Sequence, residues 1–139
     1  MSIWKLRTNP DKEKDGVWFD LATPDGGLAR FKVARHGGSN AEFTKMFEKE
    51  SRPYRRLLKD GQDVDSETMY EIMLRVYAST VVRAWENVTN EDGTELECTP
   101  DNVYLVLSQI DYVFDRVREE AQKNANYQAE DIRDDAKNS

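Results

Sequence analysis

The sequence predicts an α+β fold, mainly α: an N-terminal β-hairpin packed on a body of about four helices. Three observations predict it. Apolar residues alternate with polar ones from Val17 to Leu21 and again from Ala29 to Val33, with a Pro- and Gly-containing turn between. From Phe43 onward the apolar residues recur instead at three- and four-residue steps. Helix-start residues stand ahead of the periodic stretches, at Ser39, Asp65 or Ser66, Thr99 and Asp111.

Residues 1–15 pair a short apolar piece, Ile3, Trp4 and Leu6, with a polar loop. They read as a loosely held arm, with Trp4 expected to dock on the body. In the hairpin, Val17, Phe19, Leu21, Ala29, Phe31 and Val33 form a core face. The other face sets Asp20 in one layer with Arg30 and Lys32, and leaves Trp18 half-exposed. Pro24 has a fixed φ and Gly26 and Gly27 are free to take positive φ, which suits the turn.

His36-Gly37-Gly38 is a break before the first helix, and Ser39 with Glu42 has the spacing of a capping box. The stripe that follows is Phe43, Met46, Phe47, Tyr54, Leu57 and Leu58. Pro53 removes an amide donor and disfavours helix at Arg52, so two pieces are expected, 40–51 and 53–59. The second half of this stretch is basic, with Arg52, Arg55, Arg56 and Lys59 close together. A solvated face, or a salt-bridge partner for acidic residues elsewhere, accounts for them better than a phosphate site.

Residues 65–88 are the central stretch and are expected to hold a helix of about five turns. Met69, Ile72, Met73, Val76, Tyr77, Thr80, Val81 and Ala84 share its apolar face, and it runs directly into Trp85. Thr99-Pro100 starts a further helix, the cap followed by proline at its first position. Val103 to Leu107 and Ile110 make that helix apolar on nearly every side, so it should be the most buried. Asp111 is read as the cap of a last helix whose stripe is Phe114, Val117, Ala121 and Ala125, closed by Tyr127. Residues 1–127 thus form one globular domain, and the acidic tail 128–139 is expected to be disordered.

The chain has 139 residues, 38% of them hydrophobic, enough for a real core. Its net charge of -7 argues against a general nucleic-acid or anionic-membrane binder. Six carboxylates and no Lys or Arg lie between Glu86 and Asp101, so much of the acidity is one local patch. A single cysteine, Cys98, forms no internal disulfide and fits a reducing compartment. The N-terminus lacks the apolar run of a signal peptide, and no segment has the length and apolarity of a membrane span.

Catalytic, cofactor and metal sites are not expected. A strand followed by His36-Gly37-Gly38 is shared with some esterase oxyanion loops, but the chain has no G-x-S-x-G elbow and no second histidine. Asn90, Asp92 and Gly93 look like the middle of a calcium loop, yet Val88 and Thr99 would fall where its two strongest carboxylate ligands belong. A tight turn explains them. Cys98 has no second thiol and no histidine near in sequence, and reads as a small buried filler. The stripe broken by Pro53 is the first place to look for spare apolar surface, so Phe43, Phe47, Tyr54 and Leu58 are the candidate partner-binding residues.

Several stretches together resemble the tail assembly chaperones of long-tailed bacteriophages: DGVWFDLA with RFKVARHGG, then SRPYRR, then YASTVVRAWENVTNEDGTELECTPDNVYLVL, and finally EEAQKNANY. The resemblance runs from about Asn9 to Tyr127 in consistent order. Its most specific part is Trp85-Glu86-Asn87-Val88, then Glu91-Asp92-Gly93, then Thr99-Pro100-Asp101-Asn102. It implies a non-enzymatic protein of the host cytoplasm, absent from the mature virion, that keeps the apolar tape measure protein soluble during tail assembly. It also implies a longer frameshifted form that recruits the tail tube protein, this chain matching the short form. Weak self-association along the tape measure rod is a further expectation. The alternative class is a virion structural protein, such as a tail completion or head-tail connector subunit.

Overall fold

The computed structural model describes residues 2–61 and 64–129, without the side chain of Leu58. Its helices are α1 (Pro10–Asp15), α2 (Ala41–Ser51), α3 (Arg55–Lys59), α4 (Ser66–Thr80), α5 (Pro100–Gln109) and α6 (Asp111–Ala121). Its strands are β1 (Val17–Ala22), β2 (Leu28–Val33) and β3 (Val82–Glu86). Short 3-10 turns at Ile3–Leu6, Arg52–Tyr54 and Asn124–Tyr127 complete the order. The fold is α+β and mainly α.

The hairpin forms in the expected layers. Val17 pairs with Val33, Phe19 with Phe31 and Leu21 with Ala29 on the inner face. On the outer face Asp20 pairs with Arg30, whose Nε lies 3.0 Å from the Asp20 carboxylate. The Arg30 guanidinium also reaches Glu86 at 3.3 Å and stacks over Trp18 at 4.9 Å.

The hairpin is nevertheless part of a larger sheet. The central helix stops at Thr80, and residues 82–86, expected to continue it, form a third antiparallel strand beside β2. Val81 and Val82 are consecutive β-branched residues, which lose side-chain freedom in a helix and fit a pleated surface. Phe31 pairs with Trp85 at an edge-to-face distance of 5.9 Å, so the indole belongs to the sheet. Pro53 breaks its helix as expected, through the 3-10 turn between α2 and α3. Asp65 and Thr99 cap α4 and α5 by accepting hydrogen bonds from the Thr68 and Asn102 amides.

Three local expectations fail. The Ser39–Glu42 capping box does not form: Asn40 stands at the start of α2, and the Ser39 amide donates to Glu13 Oε2 at 2.5 Å. Glu42 turns to Arg83, 2.8 Å away. Asp111 is the first residue of α6, and Ile110 occupies the capping position. Trp4 does not dock on the body; it is 68% exposed on its 3-10 turn.

The most buried helix is also misplaced by the sequence. Leu105 and Ile110 are about half exposed, whereas α4 buries Ile72, Leu74, Val76, Tyr77, Ala78 and Thr80. Helix α4 packs between α2 and α5, so it contacts neighbours on more sides.

The N-terminal segment is tied down by α1. Glu13 is buried, and its carboxylate accepts hydrogen bonds from the Thr8 hydroxyl, Arg35 and the Ser39 amide. Gly16, at φ +99°, lets the chain pass beside β2, where a Cβ would meet the Val33 carbonyl carbon at 2.9 Å. At the other end the ordered body runs slightly past residue 127. Gln128 is buried and bridges Thr8, and the Ala129 amide donates to the Arg7 carbonyl. The remainder of the expected acidic tail, 130–139, lies outside the described residues.

Candidate functional site

The four residues singled out as a partner site are not equivalent. Phe43 sits in the core, 6% exposed, with its ring 4.3 Å from His36 and edge-on to Tyr77 at 6.0 Å. Phe47 is half-buried and stacks on Phe43 at 6.4 Å. Tyr54 is half-buried at the 3-10 turn and lines a surface groove. The side chain of Leu58 lies outside the described residues. Helical spacing put all four on one stripe, and the depth of that stripe decides which can meet a partner: Phe47 and Tyr54 more readily than Phe43.

The groove runs between α2 and α4 in two lengths. One, of about 320 Å³, is walled by Pro53, Tyr54, Thr68 and Ile72. The other, of about 360 Å³, is walled by Met46, Ala78, Pro100 and Tyr104. Glu50 and Arg75 belong to both lengths and stand at the divide. Arg75 is placed there by Glu71, 3.1 Å away and one helical turn earlier, and by Glu50 of α2 at 3.6 Å. The Tyr104 hydroxyl donates to the same Glu71 oxygen at 2.5 Å. That hydrogen bond to an ionised partner, with burial, raises the Tyr104 pKa above its usual value.

With Glu50, Glu67, Glu71 and Asp101 around the groove and Arg75 among them, its walls carry a net negative charge. The arrangement suits contact with an apolar segment that carries cations. Sequence reasoning found the apolar wall but not the Arg75–Glu50–Tyr104 network. The Glu71–Arg75 spacing was its only local signal, since the other partners come from separate helices.

The remaining candidates resolve as structural parts. The His36 imidazole is enclosed by Phe43 and Tyr77, with Nδ1 2.6 Å from the Tyr77 hydroxyl, and burial lowers its pKa. The amides around the Gly pair are committed: His36 donates to the Ala121 carbonyl and Ser39 to Glu13. An esterase site would also need a nucleophile elbow and a second histidine, which the sequence lacks. Asp92 closes a tight turn by accepting from the Thr94 amide and hydroxyl. Cys98 is half-buried against the core, and burial raises its pKa, which makes it a poor thiolate. Arg52, Arg55 and Arg56 are exposed and enter no ion pair among the described residues, as a solvated face would.

Residues 38–138, well over half of the chain, match the family described as YdaY prophage protein. The match begins at the Gly pair before α2, so it takes in α2, α4, β3, α5 and α6 and leaves out β1 and β2. No curated protein and no solved structure matches the chain. The chain belongs to the YdaY prophage protein family and is of phage origin.

Proposed function

We propose that this phage-derived member of the YdaY prophage protein family is a non-enzymatic tail assembly chaperone, which binds the tape measure protein and keeps it soluble during tail assembly. The observation that carries the reading is the open groove between α2 and α4. There Met46 and Tyr54 offer apolar contact beneath a rim of Glu50, Glu67 and Glu71. An amphipathic helix that would aggregate alone gains burial in such a groove, and the acidic surface of the -7 chain keeps the complex dispersed. The ordered resemblance of the sequence to tail assembly chaperones supports the same reading.

In this reading the protein acts in the host cytoplasm and leaves before the particle matures. A longer frameshifted form would bring in the tail tube protein, and weak self-association would help many copies cover one rod. Mass spectrometry of purified particles tests it against the structural alternative. A chaperone is absent or far below stoichiometric level, whereas a tail completion or connector subunit is present in fixed copy number.

A further inference from the structure

The 3-10 turn Ile3–Leu6 holds three large apolar side chains in solvent. Ile3 is 74% exposed, Trp4 68% and Leu6 56%. With three residues per turn, Ile3 and Leu6 stand one above the other on one side, and Trp4 lies on the adjoining side. Lys5 and Arg7 are exposed beside them. The turn is built rather than frayed. The Lys5 amide donates to the Ser2 carbonyl and the Arg7 amide to the Trp4 carbonyl. The Leu6 carbonyl accepts from the Asn124 side chain and the Arg7 carbonyl from the Ala129 amide, so the turn is held in its exposed place.

The α2–α4 groove has the complementary features. Met46, Tyr54 and Tyr104 are half-buried along its walls, and Pro53 is exposed there. Glu50, Glu67, Glu71 and Asp101 line it with Arg75 among them. Arg75 is shared by Glu50 and Glu71, whereas Glu67 and Asp101 enter no ion pair among the described residues. The groove has room for an apolar element with cations beside it, and the turn is such an element.

We propose that the Ile3–Leu6 turn of one copy seats in the α2–α4 groove of a second copy, with Lys5 and Arg7 toward its acidic rim. Exposed and bonded to Asn124 and Ala129, the turn does not fill its own groove, so the contact is between molecules. Turn and groove are different surfaces, and each contact uses one from each copy. A second copy is favoured over a membrane because its groove supplies apolar walls and carboxylates in one place. The net charge of -7 opposes the approach of two copies, so burial of the apolar turn drives the contact. The inference rests on the chaperone reading for one consequence: a tape measure segment entering the groove displaces the neighbour's turn. The contact thus belongs to the free chain and is distinct from any between copies side by side on the rod.

Sedimentation velocity of the full chain over a concentration series tests this. The native chain should associate as concentration rises. Ile3→Ser/Trp4→Ser removes the apolar turn, and Glu67→Lys/Asp101→Lys reverses the groove's unpaired charges. Each double variant should raise the dissociation constant about tenfold or more. Thermal transitions should change little, because all four side chains are exposed. An equal mixture of the two variants should associate again, since one keeps the groove and the other keeps the turn. A native chain that stays monomeric, variants that associate like the native chain, or a mixture that stays monomeric would overturn the proposal. So would a monomeric chain that binds phosphatidylserine vesicles through Ile3 and Trp4, which would assign the turn to a membrane. The tape measure protein is absent from this experiment, so the outcome is independent of the chaperone role. That role is read separately: the turn variant, with its groove intact, should keep the tape measure protein soluble as well as the native chain does.

Discussion

The His36 imidazole and the Tyr77 phenol, 41 residues apart, meet at 2.6 Å inside the junction of α2, α4 and α6. Burial pulls the two titrations apart: it lowers the histidine pKa and raises that of the tyrosine, so both groups are neutral near neutral pH. A histidine whose folded pKa lies below its unfolded value of 6.5 favours the fold above that value. Its contribution is lost as pH falls below 6.5 and on through the depressed folded pKa. His36→Gln should therefore flatten the stability profile between about pH 7 and 5 relative to the native chain. Urea midpoints at several pH values measure this, and parallel profiles would refute it.

Glu13 should govern the acid limb. Burial by itself would raise its pKa, but hydrogen bonds from Thr8, the Ser39 amide and Arg35 outweigh that and bring it to about 2. With a folded pKa below the unfolded 4.5, its stabilisation is present above 4.5 and lost as pH falls through about 2. Glu13→Gln should cost on the order of 2–3 kcal/mol at pH 7 and almost nothing near pH 2. Denaturation curves at the two pH values give the comparison.

The depth of the α2 stripe predicts a split among its aromatics. Phe43→Ala should destabilise the fold by about 3–5 kcal/mol, because it empties a core position against Tyr77. Tyr54→Ala, at the groove, should cost only about 1 kcal/mol and yet weaken partner binding. Thermal melts and a pull-down with the tape measure protein separate the two effects. Tyr54→Ala with unchanged binding would move the partner site elsewhere.

Tyr127 fastens the C-terminal segment to the sheet through its hydroxyl, which donates to the buried Val33 carbonyl at 3.0 Å. Tyr127→Phe keeps the ring and removes that bond, so it should lower stability by about 1 kcal/mol. A melting temperature a few degrees lower is the expected readout.

Where the sequence reading succeeded, the determinants were local. The hairpin register follows from alternation and its turn, and the α4 and α5 starts follow from side chains that bond an amide three residues on. It failed where the partner is distant. Ser39 and Glu42 have capping-box spacing, but Glu13 and Arg83 take their bonding groups from 26 and 41 residues away. Ala84 fits both a helix stripe and a strand, and pairing with Lys32 of β2, some fifty residues earlier, decides for the strand. The candidate site was half legible for the same reason: one helix shows its stripe, but only the packing of α2 on α4 shows how deep Phe43 lies.

The chaperone reading is tested most directly by the soluble fraction of the tape measure protein, expressed with and without this chain in the same cells. The tape measure protein should be insoluble alone, and co-expression should give a soluble complex containing both proteins. A tape measure protein that stays insoluble beside the chain, or is fully soluble without it, would rule out the chaperone role.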